Sequence, residues 1–137
     1  MNIMHRRALA RLAMLVAICA LPVAQARADA DPVKERATAA LHAGLAAAAK
    51  DMKTTQMHLH HVVNCLVGPN GKGFDANEAN PCKDQGTGVI PDTKDAGQKK
   101  ILRQALAKAN AGLKTKSMDT AQKNATQAQA LLTPKTM

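Results

Sequence analysis

Phe74 is the only phenylalanine in the chain, and there is no tryptophan or tyrosine. An interior without large rings has to be assembled from Ala, Leu, Val, Ile and Met. Such a core is small, and a domain of this size is stable only by a narrow margin. Two cysteines, Cys65 and Cys82, offer a remedy if the chain folds where thiols oxidise. Closing a loop of that length contributes ~3 kcal/mol by constraining the unfolded chain.

The N-terminus points to such a compartment. His5, Arg6, Arg7 and Arg11 form a basic leader, and Leu12 to Leu21 an apolar run. The small-x-small signature of a cleavage site follows as Ala26-Arg27-Ala28 or Ala28-Asp29-Ala30. The apolar run falls short of the ~20 residues that span a bilayer. Residues 1–30 are therefore expected to be a cleaved signal peptide, leaving a periplasmic protein with no stable membrane insertion. The formal charge of +9 is partly a property of that segment. Four of the 19 basic residues precede Asp29 and none of the 10 acidic ones do, so the remainder carries +5. Its lysines are scattered and no aromatic interleaves with them, which argues for a solvated basic surface and against a nucleic-acid partner.

From residue 31 onward the pattern is helical, with one domain expected over 31–137. Asp31-Pro32 is a capped helix start. Leu41, Leu45, Ala48, Met52, Thr55, Leu59, Val62 and Leu66 follow an alternating 4-3 spacing, which reads as one apolar stripe on a single helix over 32–67. Gly68-Pro69 ends it. Residues 68–93 have Gly, Pro, Asn and Asp at most turns, and a loop this long needs a tether. Cys82 supplies one, with Phe74 and Val89-Ile90 as anchors. A second helix is expected over 94–113, with Ile101, Leu102, Ala105, Leu106, Ala109 and Leu113 inward and Gly112 near its end. A third is expected over 117–132, capped by Ser117 and stopped by Pro134. The fold class predicted is all-α: an antiparallel three-helix bundle with one long disulfide-tethered loop. A long helical hairpin results if Gly112–Ser117 does not break.

Chemistry concentrates in Met57-His58-Leu59-His60-His61-Val62-Val63-Asn64-Cys65, which holds three of the five histidines. At about 100° per residue, Leu59, Val63 and Leu66 face the core, while His58, His61 and Cys65 share one flank. His60 and His42 fall on the other flank. Imidazole suits Zn, Cu and Ni, and thioether suits Cu(I). The candidate metal ligands are therefore His58 and His61, with Met57 as a soft third and His60 beside them in sequence. Asp75, Glu78 or Asp84 on the loop, or a second molecule, would complete the set. The other reading is of surface histidines with no ion, and of contacts to the loop. Gly68 to Gly73 lacks the Ser/Thr of a phosphate loop, and Asp75 to Asn80 lacks the glycine and terminal glutamate of a calcium loop. No catalytic constellation is visible, so no enzyme and no organic cofactor are expected.

His60-His61-Val62-Val63-Asn64-Cys65-Leu66-Val67-Gly68-Pro69, Gly73-Phe74-Asp75, Asn80-Pro81-Cys82 and Ile90-Pro91-Asp92 make the chain resemble small exported proteobacterial helical proteins of mostly unassigned function. More loosely, it is similar to periplasmic His-rich metal-binding and copper-resistance accessory proteins. Those have many more histidines or methionines, so the resemblance implies one low-stoichiometry site here. The expected function is binding of one copper or zinc ion, copper favoured, for buffering or hand-over. The alternative is a non-catalytic structural module for an envelope protein partner.

Overall fold

The computed structural model describes residues 29–134, and the expected signal segment lies almost wholly outside them. The described residues are all-helical, with no strand. Helix α1 spans Pro32–Ala48, α2 Met52–Val67, α3 Val89–Asp92, α4 Ala96–Lys114 and α5 Met118–Leu132. Four long helices thus replace the three expected. The difference arises at Ala49-Lys50-Asp51, where the span read as one helix divides into two. Ala49 turns to an extended conformation, and the Asp51 side chain accepts from Thr54 N at 2.8 Å as the N-cap of α2. Capping satisfies an amide that a helix start leaves open, and it typically contributes ~1 kcal/mol. Thr55, the one polar residue in the predicted stripe, is buried and its hydroxyl donates to Asp51 O.

Dividing the helix also reassigns its faces. Leu41 and Leu45, expected in the core, are 60% and 41% exposed. The buried face of α1 is instead Glu35, Ala39, Ala43 and Ala46. Small side chains let α1 lie close to α2 and α5, and the glycines show how close. A Cβ at Gly44 would stand 2.5 Å from the Gln129 amide nitrogen. Gly112 lies in the last turn of α4, as expected, and a Cβ there would meet Leu59 Cδ1 at 2.7 Å. The remaining inward residues are Leu59, Val62, Val63 and Leu66 of α2, Leu102, Ala105 and Ala109 of α4, and Ala121, Ala125, Ala128 and Leu132 of α5. Phe74 and Ile90 pack partly buried against this core, and Val89 is fully buried.

Helices α1 and α5 run antiparallel. At one end of the α1/α5 pair, Arg36 near the start of α1 donates to the last carbonyls of α5, Leu131 and Leu132. At the other end, Gln122 near the start of α5 donates to Ala49 O at 2.8 Å. Both contacts satisfy carbonyls that a helix end leaves without partners.

The segment between α2 and α4 contains the short helix α3 and is held at three points. Cys65 and Cys82 form the expected disulfide, 17 residues apart. Asn64, fully buried, donates to Asp75 O and Ala79 O and accepts from Asp75 N at 2.8 Å. Gly68, at φ +68°, closes α2 so tightly against Thr87 that a Cβ would overlap the Thr87 carbonyl. No helix of the described residues is long and apolar enough to cross a membrane.

Candidate metal centre

The α1–α2 hairpin brings His42 to His58 and His61. His42 stands eight residues before Lys50 and His58 eight after it, so the antiparallel hairpin sets them opposite each other. His61 follows one turn later on the same face of α2. His42 Nδ1 lies 3.1 Å from His58 Nδ1 and 3.3 Å from His61 Nδ1. One ring nitrogen from each of the three falls within 4.8 Å of the other two. The rings meet tilted or edge-on, with centroids 4.9–5.5 Å apart.

Those separations match a coordination sphere. Nitrogens bound to Zn²⁺ at 2.0–2.1 Å in a tetrahedron stand about 3.3 Å apart. Without an ion, the same contacts are hydrogen-bonding distances between ring nitrogens, whose donor and acceptor roles depend on the tautomers, and the single lone pair of a neutral His42 Nδ1 serves one partner at a time.

Electrostatics favour the neutral form of His42 and His61. Burial, then the nearby His61 and His58, push His42 from an ordinary 6.5 down to about 4. His61 is 8% exposed, and burial with His58 and His60 also lowers its pKa against the opposing pull of Glu78. Neutral imidazole is the form that ligates metal. Glu78 Oε2 stands 4.0 Å from His61 Nε2, the nitrogen that does not face the cluster. At that distance Glu78 acts on His61 through its charge and not through a hydrogen bond.

Of the residues singled out in sequence, His58 and His61 come together here. His60 turns away, with its Nδ1 3.5 Å from Asp75 Oδ2. Met57 is 36% exposed on α2. Cys65 is in the disulfide and does not ligate. Glu78 comes from the tethered loop to the outer side of His61, while Asp75 meets His60. His42, placed on the opposite flank when 32–67 was read as one helix, is the residue that joins the two α2 histidines.

No family model matches the chain, and neither do any of the curated proteins or solved structures compared with it.

Proposed function

We propose that this is an exported, non-enzymatic protein that binds a single metal ion through His42, His58 and His61, and buffers it or hands it on in the periplasm. The observation that carries the reading is the convergence of three imidazole rings from two helices, with His42 Nδ1 at ligand-to-ligand spacing from the Nδ1 atoms of both His58 and His61. Copper ranks first, because nitrogen donors bind Cu²⁺ most tightly among the first-row divalent ions, with zinc next. Three protein ligands leave a position open, which suits an ion that must be passed to another protein. Titration of the oxidised protein with Cu²⁺ and Zn²⁺ against a competing chelator tests this. One equivalent is expected to bind with a Kd of about 1 μM or tighter. The triple variant His42→Ala/His58→Ala/His61→Ala is expected to lose that binding. Submillimolar binding alone, unchanged in the triple variant, would leave the cluster as a hydrogen-bonded pin between α1 and α2.

A second reading has its own observation. Val33, Ala37, Leu41 and Leu45 recur every four residues along the outer side of α1, and Val33 is 76% exposed. Such a stripe suits an envelope protein partner, and an ion-free interaction module is the outcome if the titration fails.

A further inference from the structure

The second place where this molecule gathers unspent chemistry shares no residue with the histidine cluster. A cavity of about 570 Å³ opens where the end of α2, the loop after it, α3 and the first half of α4 meet. Its apolar surface comes from Val67, Ile90, Pro91 and Leu106. Lys99 and Arg103, four residues apart on α4, share one face of that helix and line the cavity, and Lys72 lines it from the loop. Among the described residues no carboxylate lies within 4.0 Å of any of the three cations, since the ion pairs found involve only His60 and His61.

The cavity is also built rather than incidental. Gly68 and Gly88, at φ +68° and +124°, press their backbones together next to Val67 and Thr87, with no room for a side chain on either. The Cys65–Cys82 disulfide and the Asn64 hydrogen bonds hold the same loop to α2. A pocket whose shape is set before binding does not have to be ordered by its ligand. Its volume lies in the range that encloses a small organic molecule, and such sites combine apolar walls with a few placed polar groups. Here every charge at the wall is positive. Guanidinium and ammonium groups recognise carboxylate, phosphate and sulfonate heads, and Arg does so through two parallel hydrogen bonds.

We propose that this cleft binds a small anionic amphiphile: one carboxylate, phosphate or sulfonate head held by Lys99, Arg103 and Lys72, on an apolar body lying over Val67, Ile90 and Leu106. Calorimetric titration of the oxidised protein with decanoate, below its micellar concentration, tests it. One saturable site is expected, with decyl sulfate binding comparably. Acetate, which lacks the body, and decyltrimethylammonium, which reverses the head charge, are expected to bind at least ~10-fold more weakly. The double variant Lys99→Gln/Arg103→Gln is expected to weaken decanoate binding by roughly 10-fold or more, since each lost contact is charge-assisted. Both residues are at the surface, so its unfolding midpoint stays at the parent value. The control Lys116→Gln/Lys123→Gln removes the same charge near the α4–α5 turn and is expected to leave binding unchanged. Absence of saturable binding up to about 1 mM would overturn the proposal. So would equal binding of the cationic analogue, an equal loss in the control, or binding to anionic vesicles with none to the monomeric amphiphile.

Discussion

Glu35→Gln is expected to stabilise the protein at pH 8 by roughly 2–3 kcal/mol and to leave it no more stable than the parent near pH 4.5. Glu35 is fully buried on the inner face of α1. One carboxyl oxygen accepts from Gly88 N at 2.9 Å, and the other has no hydrogen-bond donor. Its nearest charged neighbour is Asp92, which itself accepts from Thr87 N and the Thr87 hydroxyl. Two carboxylates at one buried place cannot both ionise without cost, so a proton on Glu35 turns repulsion into a hydrogen bond. Burial first, then Asp92, push Glu35 from 4.5 up to about 7, although the Gly88 hydrogen bond pulls the other way. The folded state therefore holds a proton that the unfolded chain releases. The stabilisation is complete below pH 4.5 and is lost as pH rises to about 7.

Gln keeps the hydrogen bond from Gly88 N and brings an amide donor toward Asp92, without the charge. His42, pushed down to about 4, works in the opposite sense. Its contribution is present above pH 6.5 and is lost as pH falls toward 4. Comparing Glu35→Gln with the parent by urea unfolding at pH 4.5 and pH 8 isolates the Glu35 contribution from that opposing one. An equal difference at the two pH values would show that folding leaves the Glu35 pKa unshifted.

Removing the Cys65–Cys82 disulfide, by reduction or as Cys65→Ser/Cys82→Ser, is expected to cost ~3 kcal/mol. In a domain of this size that is a fall of roughly 10–20 °C in Tm. The bridge closes a 17-residue separation, and the loop it spans carries few other anchors. Two of these, Phe74 and the Asn64 hydrogen bonds to Asp75 and Ala79, lie within it. The segment that follows the bridge, from Lys83 to Gly88, is held by Cys82, by Asp31 N on Gln85 O, by the Thr38 hydroxyl on the Gln85 side chain and by Gly88 N on Glu35. Amide hydrogen exchange in the reduced protein should rise first at Lys83–Gly88 and last in α4 and α5. A midpoint unchanged by reduction would mean that the alanine-rich core is sufficient without the bridge.

Much of this architecture was legible in the residues, and the part that was not has two causes. The Pro32 start, the Gly68 stop, the Ser117 cap and the cysteine pair each have a local physical signature, and the inward faces of α4 and α5 repeat at helical spacing. The break at Ala49–Asp51 lacks a Gly or Pro. It is made by an aspartate whose capping role depends on Thr54 three residues on, within an alanine run that favours helix by propensity. Missing that cap carried a register through it, which put Leu41 and Leu45 in the core and His42 on the far side. Once Asp51 is a helix start, counting eight residues either way from Lys50 sets His42 against His58. Glu35 and Asn64 gave no such signal. A buried acid and a buried amide are defined by a loop folding back over them, which is a tertiary event.

His42→Ala is the most direct test of the metal centre, because His42 belongs to it only through the α1–α2 hairpin. Loss of an outer-shell partner already weakens metal binding by 10–100-fold, so loss of a ligand should cost at least ~100-fold. His42→Ala and His61→Ala are expected to weaken Cu²⁺ binding to that extent, with X-ray absorption of the parent showing three imidazole nitrogens at about 2.0 Å. Met57→Leu is expected to leave the affinity unchanged. Parent-like affinity in His42→Ala, together with a loss in Met57→Leu, would contradict the three-histidine centre and place the ion on α2 alone.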